Sequence, residues 1–243
     1  MDFTLKKYEQ LCNAIKQNYK TYSVKEFIEK KPKNGVVLRH DIDRKLRNAL
    51  RIAKLEKKLN LKSTYYFRYP NTYDKKIIDK IYSLGHEIGY HYEVLDKSKG
   101  NYKKAVKLFK KELKHFEQWN VKTIAMHGNP LKDWSNRDLW LEYNFEDFGI
   151  IGEAYLSIDP DKLVYFTDTG RRWNDIRFNK KDHFNKTMVK VEDTNNLIEL
   201  IMAKKFKTCY ISTHPERWSD NFVEWWYNLI WQEIKNTGKI ILR

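Results

Sequence analysis

Apolar and polar residues follow one another along the chain in a pattern that predicts strands and helices in regular succession. Short runs rich in Val, Ile and aromatic residues predict buried strands, and apolar residues at every third or fourth position predict amphipathic helices. The predicted strands are 36–43, 63–68, 87–93, 121–127, 163–169 and 207–214. The predicted helices are 1–17, 44–60, 77–84, 102–116, 193–204 and 221–235. This alternation is typical of a parallel sheet or barrel covered by helices.

Residues 129–190 interrupt this regular succession. The stretch 134–143 has a helical pattern, and the remainder predicts loops and short strands that lie over one end of the sheet. Residues 1–34 predict a helix and a turn packed on the rest of the molecule. No Ser-, Gly- or Pro-rich linker and no internal repeat divides the chain, so we expect residues 1–243 to form a single α/β domain.

The last predicted helix, 221–235, begins with an N-terminal capping pattern. Asn221 and Glu224 have the spacing of a capping box, in which each side chain binds the backbone N–H group of the other residue. The apolar residues of this helix recur at helical spacing, and we expect five of them to face inward: Phe222, Val223, Trp226, Leu229 and Ile230.

Histidines stand at or near the ends of four predicted strands. The four segments are VVLRHDID (36–43), EIGYHYE (87–93), TIAMHG (123–128) and CYISTHPERW (209–218). In parallel α/β folds the carboxyl ends of the strands surround the active site. Four histidines in such positions, with an Asp-x-Asp beside the first, favour a metal centre or an acid–base centre.

Side chains two residues apart in a strand share a face, and this periodicity groups the acidic residues. Asp41 and Asp43 face together. His91 shares a face with Glu93, and His86 lies on the other side. The mixed nitrogen and oxygen donors suit a divalent metal; zinc is the simplest choice, and cobalt, nickel or manganese also fit. The alternative is that Asp41 and Asp43 only cap the helix that follows.

Two further groups of residues have both functional and purely structural interpretations. His127 and His214 lie at bends imposed by nearby Gly and Pro residues, where each could act as a general acid or only cap a strand end. Arg171, Arg172 and Trp173 would bind a carboxylate or phosphate and stack on a sugar, or would belong to a surface salt-bridge cluster.

The net charge of +15, from 47 basic and 32 acidic residues, invites a nucleic-acid-binding hypothesis. The lysines form short clusters with acidic residues between them, and no familiar nucleic-acid-binding motif is present, so a solvated basic surface is preferred. Attraction to anionic substrates such as nucleotide sugars, or to a membrane surface, fits the same charge.

No stretch reaches the ~18 apolar residues of a membrane span. The N-terminal segment lacks signal-peptide features, and we expect a cytoplasmic protein.

The two cysteines, Cys12 and Cys209, are far apart in the sequence and stand in apolar contexts. Neither belongs to a Cys-x-x-Cys pair, which argues against a thiolate metal site. We therefore expect two buried thiols without a disulfide.

The combined motifs resemble those of a known family. RHDID, GHEIGYHYE, MHGNP, TDTGRRW and STHPERW look like the polysaccharide deacetylase (NodB-homology) superfamily. More narrowly, they are similar to its WbmS-like branch, which is associated with bacterial surface-polysaccharide gene clusters. The resemblance covers most of residues 35–220, and it implies a distorted (β/α) barrel with metal-dependent N-deacetylase activity.

The resemblance also implies roles for individual residues. Asp41 matches the general base and His214 the general acid. Asp43 and His91 match two of the metal ligands. Leu95 stands where the family has its second metal-binding histidine; Glu93 is the nearest substitute on the same face, and the less favoured alternatives are His86 and His127.

Three functional hypotheses follow, in order of preference. The first is a zinc-dependent deacetylase that acts on an amino-sugar or nucleotide-sugar precursor of surface-polysaccharide biosynthesis. In this hypothesis His127, Arg171 and Arg172 contact the substrate, and Trp173 or Trp218 stacks on the sugar. The second is a catalytically inactive sugar- or nucleotide-binding member of the same fold. The third is a basic nucleic-acid-binding protein.

Overall fold

The predicted alternation of strands and helices is present in the computed structural model, which describes residues 1–129, 131–175, 177, 184 and 189–241. The strands are β1 Thr21–Tyr22, β2 Gly35–Ile42, β3 Thr64–Phe67, β4 Glu87–Tyr92, β5 Thr123–Met126, β6 Gly152–Glu153, β7 Val164–Thr167 and β8 Thr208–Thr213. The α-helices are α1 Leu5–Asn18, α2 Val24–Lys30, α3 Leu46–Lys58, α4 Lys75–Ser83, α5 Val94–Lys97, α6 Tyr102–Leu113, α7 Thr194–Met202 and α8 Phe222–Ile241.

The strands form one curled sheet in which every pairing is parallel, and helices surround it. The order is β6-β5-β4-β3-β2-β8-β7, and β1 pairs with the first half of β2. This mixed α/β architecture is compatible with a (β/α) barrel-like fold. Because parallel strands all run the same way, their carboxyl ends meet at one edge of the sheet.

Strand β2 lies in the interior of the sheet and is buried over its whole length. It pairs with β8 on one side and with β1 and then β3 on the other. All eight of its residues are buried, which explains the nearly continuous apolar run of Val36, Val37 and Leu38 before the polar residues begin. Burial of each such side chain stabilises the fold by roughly 1.5–3 kcal/mol.

The segment 1–34 contains more structure than the predicted helix and turn. Helix α1 begins after Thr4, whose side chain accepts a hydrogen bond from the backbone N–H of Lys7. Strand β1 then joins the sheet, and α2 begins at a capping box formed by Ser23 and Glu26. This segment therefore contributes a strand to the central sheet.

Between residues 131 and 175, two short strands and several short 3₁₀ helices take the place of regular α-helices. The predicted helix 134–143 is the 3₁₀ helix Asn136–Leu141, and the predicted strand 163–169 is β7. Parts of the predicted irregular stretch 129–190 lie outside the described residues.

Helix α8 has the opposite orientation to the predicted one. Phe222, Val223, Trp226 and Ile230 are exposed, and Leu229 is half-buried. Among the side chains of α8 that the structure describes, the buried ones are polar, namely Asn228, Gln232 and Asn236. Only half of the predicted capping box is present: Asn221 Oδ1 accepts a hydrogen bond from the backbone N–H of Glu224, whose own carboxylate binds the N–H of Asp220.

Two further expectations have structural outcomes. Cys12 and Cys209 are both buried free thiols, as predicted. None of the described helices has the length and apolar character that crossing a bilayer requires.

Candidate functional site

Three side chains at the carboxyl edge of the sheet bring potential metal ligands together. Asp43 follows β2, His91 is in β4, and His127 follows β5. His127 Nδ1 lies 3.0 Å and His91 Nε2 lies 3.4 Å from Asp43 Oδ1. The two imidazole nitrogens are 3.3 Å apart. Among the described residues, these three form a cluster with the ligand types and spacing of a metal site.

The hydrogen bonding of His91 shows which of its nitrogens can bind a metal. Its Nδ1 is 3.0 Å from the backbone oxygen of Ala125, its partner in β5. A carbonyl oxygen can only accept, so Nδ1 carries the proton and Nε2 directs a lone pair toward Asp43. A carbonyl behind a ligating histidine is the usual outer support of a protein metal site.

The Asp43 carboxylate also has the environment expected of a ligand. Its buried Oδ1 forms no hydrogen bond within the described part of the chain, although His127 Nδ1 is close. Such an oxygen beside a nitrogen lone pair is costly to bury unless a cation or a proton lies between them. Two imidazoles and one carboxylate fit zinc and its neighbouring divalent metals.

Without a metal, the attraction between the charges of Asp43 and His127 stabilises this cluster. Burial alone would raise the pKa of Asp43, but the charge of His127 outweighs it and holds that pKa well below its usual range. Burial alone would lower the pKa of His127, and the Asp43 carboxylate outweighs it and raises that pKa. The cluster therefore favours a cation in either form, as a proton on His127 or as a metal ion.

Asp41 lies beside this cluster and is paired with a buried arginine. Arg39 Nε and Nη2 each donate to one oxygen of Asp41, both at 2.7 Å. Asp41 Oδ2 is 4.0 Å from His91 Nε2. Burial alone would raise the pKa of Asp41, but the Arg39 guanidinium outweighs it, and the pKa is lowered overall. Asp41 is therefore ionised at neutral pH.

His214 follows β8 and is held by a carboxylate on the neighbouring strand end. Its Nδ1 is 2.7 Å from Asp168 Oδ1, and its backbone N–H donates to Oδ2. Arg217 Nη1 is also 2.7 Å from Oδ1 and 2.9 Å from the imidazole Nδ1. Since a carboxylate accepts from both donors, we assign the proton to Nδ1, which leaves Nε2 as the nitrogen available to a substrate.

The helix-capping alternative for the two aspartates is wrong. The residue that precedes α3 is Lys45, which has a left-handed backbone and makes no side-chain capping hydrogen bond. Asp41 instead binds Arg39, and Asp43 lies in the donor cluster. Neither aspartate is needed to begin the helix.

Among the three alternatives for the third metal ligand, the structure brings His127 to Asp43 and His91. Glu93, the preferred candidate, instead accepts a hydrogen bond from Arg68 at 2.6 Å. His86 lies on the opposite face, where its nitrogens contact Ser63 Oγ and the backbone oxygen of Ala53. His127 therefore replaces Glu93 as the third converging donor.

Both tryptophans that were predicted to stack on a sugar are buried. Trp218 has no exposed surface, and Trp173 is 4% exposed. Both pack around Phe3, and the indole N–H of Trp218 donates to Asp168. Trp218 is fully enclosed and supports the carboxylate that holds His214, whereas Trp173 lines a cleft beside α8 with little of its surface exposed.

The paired arginines lie apart from the donor cluster. Arg171 and Arg172 line a cleft of about 820 Å³ beside α8, and its lining contains none of the three metal donors. The Arg171 guanidinium is buried over the ring of Trp225, and Arg172 pairs with Glu233 at 3.1 Å. The pairing of Arg172 agrees with the salt-bridge interpretation for that residue.

Three further residues of the site were not identified from the sequence. Arg39 is two positions before Asp41, so strand periodicity places both on one face. Asp168 is the second-to-last residue of the predicted strand 163–169 and matches the strand-end pattern used for the histidines. Glu216 is buried, and its Oε2 has no hydrogen-bond partner within the described residues. Burial, followed by the charge of Asp43, raises the pKa of Glu216.

Known proteins do not supply an identity for this site. Comparison of the chain with protein-family models, curated proteins and solved structures gives no match. The functional argument therefore rests on the chain's own geometry. That geometry consists of a candidate centre for a divalent metal, with an ionised Asp–Arg pair and a carboxylate-held histidine at the same edge of a parallel sheet.

Proposed function

We propose that this chain is a divalent-metal-dependent hydrolase of the polysaccharide deacetylase type, which removes an acyl group from an amino-sugar or nucleotide-sugar precursor. The observation that supports this most directly is the convergence of Asp43, His91 and His127 beside Asp41. The motif resemblance supplies the reaction class and the substrate class. Zinc is the proposed metal because two imidazoles and a carboxylate are common ligands of catalytic zinc.

The three donors would leave part of the metal's coordination sphere open to water and substrate, as catalytic zinc sites do. A bound divalent ion would supply Lewis acidity, polarising an amide carbonyl and making water a stronger acid. His91 is already in the tautomer that ligation needs, because the Ala125 carbonyl holds its Nδ1 proton. His127 would have to lose its proton to bind, so metal uptake would release protons.

Asp41 would be the general base. Arg39 keeps its carboxylate ionised and fixed in position, and it is close to His91 Nε2. When water adds to the amide carbon, Asp41 would accept the proton that water loses.

His214 would be the general acid. In its imidazolium form it would carry a second proton on Nε2 and give it to the departing nitrogen as the C–N bond breaks, yielding an amine and a carboxylic acid. The proton taken up by Asp41 would balance the one that His214 loses. Asp168 would stabilise the imidazolium form and hold the ring through Nδ1. Asp168 acts through His214 and is a positioning residue.

Metal content and turnover, measured on the same variants, test this proposal. We expect about one zinc or similar ion per wild-type chain and deacetylation of N-acetylated amino sugars or their nucleotide-linked forms. Asp43→Asn keeps the size of the side chain but weakens a ligand, and we expect it to lose the metal and at least ~100-fold in activity. His115→Ala is the control, because His115 stacks on Tyr69 away from the cluster.

The outcomes separate the hypotheses. Asp43→Asn protein with full metal content and full activity would refute the assignment of the site. Metal retained by the wild type, with sugar binding but without turnover, would favour the inactive sugar-binding alternative. Tight, salt-sensitive binding to random duplex DNA would favour the nucleic-acid hypothesis.

A further inference from the structure

Helix α8 exposes a continuous apolar stripe. The exposed fractions are Phe222 62%, Val223 78%, Trp226 45%, Tyr227 61%, Ile230 57%, Trp231 43% and Ile234 58%. These residues recur every three or four positions and lie on one side of the helix. They make up seven of the thirteen large apolar side chains that are exposed in the described part of the chain. The other six are scattered, as is normal for a protein surface.

The inward face of α8 is polar and fixes this orientation. Asn228 Nδ2 donates to the backbone oxygen of Glu216 and to Ser219 Oγ. Asn236 Nδ2 donates to the backbone oxygen of Gly170, and its own Oδ1 accepts from Gln232. Turning the apolar face inward would take these donors away from the backbone oxygens of Glu216 and Gly170, at a cost of roughly 1–3 kcal/mol for each acceptor left buried without a partner. The apolar stripe is therefore held on the outside by specific contacts.

The charge around this stripe favours an anionic partner. The chain carries a net charge of +15. The two acidic residues at the sides of α8 are paired with cations, Glu224 with Lys45 and Glu233 with Arg172. Lys235 Nζ lies 5.5 Å from the centre of the Trp231 ring. A second copy of the chain carries the same net charge of +15, and the repulsion between two such chains opposes self-association.

We propose that the apolar stripe of α8 docks this protein on the surface of an anionic lipid bilayer. Trp and Tyr rings favour the boundary between lipid headgroups and acyl chains, and α8 presents two Trp and one Tyr beside aliphatic residues. A helix of this kind lies in the plane of the membrane, with its apolar face ~5–10 Å deep, and basic residues around it attract anionic headgroups. The proposal does not depend on the proposed hydrolase activity.

Vesicle co-sedimentation with the full chain tests this proposal. The probes are vesicles of phosphatidylcholine with about one-third phosphatidylserine, and vesicles of phosphatidylcholine alone. We expect the wild type to bind the anionic vesicles at least ~10-fold more tightly than the neutral ones, with weaker binding at high salt. The triple variant Trp226→Ser/Ile230→Ser/Trp231→Ser should lose at least ~10-fold in binding, since it removes three large apolar side chains from the contact.

Leu141→Ser is the matched control, because Leu141 is 84% exposed outside α8 and should leave binding unchanged. All the substituted residues are exposed, so the variants should keep the wild-type melting temperature, which shows that they fold. Equal binding of the triple variant and the wild type would overturn the proposal, as would no binding by the wild type. A wild-type dimer in solution that the triple variant dissociates would also overturn it, by identifying a second copy as the occupant.

Discussion

Each candidate catalytic group has a neighbour that fixes its protonation state or its orientation. Arg39 keeps Asp41 ionised, the Ala125 carbonyl sets the tautomer of His91, and Asp168 holds Nδ1 of His214. These neighbours are buried, so the contacts are little weakened by water or salt. A site arranged in this way needs little rearrangement before it binds a ligand.

The residues of the site could be predicted only in part from sequence. Strand periodicity places Asp41 with Asp43 and Glu93 with His91. It cannot show that Arg68, 25 residues earlier, binds the Glu93 carboxylate. The position of His127 depends on the register between β4 and β5, in which His91 is opposite Ala125. That register is set by packing between distant segments, which one sequence does not reveal.

The buried carboxylate of Glu56 gives a prediction about pH. It accepts hydrogen bonds from Tyr8, Ser63 and Tyr65 and contacts His40 on the face of β2 opposite the site. Burial alone would raise its pKa, but His40, with smaller effects from His86 and the Ser63 hydroxyl, outweighs it and lowers the pKa from 4.5 to about 2. In this range the unfolded chain binds a proton that the folded protein does not, so Glu56 stabilises the fold above pH ~4.5 and loses this effect toward pH 2.

Glu56→Gln should therefore destabilise the protein by about 3 kcal/mol at pH 7, because the neutral amide cannot replace a carboxylate that accepts several hydrogen bonds. Urea unfolding of both proteins between pH 7 and pH 3 measures this. The wild type should lose more stability than the variant as the pH falls. The same pH dependence in both proteins would contradict the assigned role of Glu56.

At the scale of elements, the close packing of β3 and β4 positions His91. Gly89 is directly opposite Tyr66 in this pair and is two residues before His91. A Cβ atom at Gly89 would lie 2.2 Å from the ring of Tyr66 and 3.0 Å from the backbone oxygen of Thr123. Tyr66 cannot move freely, because its hydroxyl is hydrogen-bonded to Thr123 Oγ1.

Gly89→Ala should therefore destabilise the protein by about 1–3 kcal/mol, the usual range for overpacking a filled interior. Chemical denaturation gives the value. Gly128→Ala is the control, because nothing lies within 4 Å of a Cβ atom at that position, and it should have little effect on stability. Wild-type stability in Gly89→Ala would show that the two strands can separate without cost.

Strands and helices with a clear periodicity of apolar and polar residues could be predicted from the sequence, and those without such a periodicity could not. The predicted strand 36–43 is β2, and the predicted strand 207–214 contains β8. The strands β1 and β6 have two residues each, too few to show any periodicity. Helix α8 has an apolar face and a polar face, and its pattern does not say which one is inside. The amide contacts of Asn228 and Asn236, with partners far away in sequence, decide the orientation.

At the scale of the whole molecule, the donor cluster connects three strands that are distant in sequence. Asp43, His91 and His127 follow or belong to β2, β4 and β5, and β3 lies between β2 and β4. An ion bound by all three donors would bind the folded protein far better than the unfolded chain, in which the donors are separated. Binding energy would therefore appear as added stability of the fold.

Zinc should accordingly raise the melting temperature of the chelator-treated wild type. At a free concentration ~1,000 times the dissociation constant, the added stability is about 4 kcal/mol, or a shift of roughly 10 °C for a chain of this size. Differential scanning calorimetry with and without zinc measures the shift. His127→Ala should lose most of it, whereas His115→Ala, with its ring outside the cluster, should keep it. An equal shift in the wild type and His127→Ala would mean that zinc binds elsewhere, and the proposed centre would then be wrong.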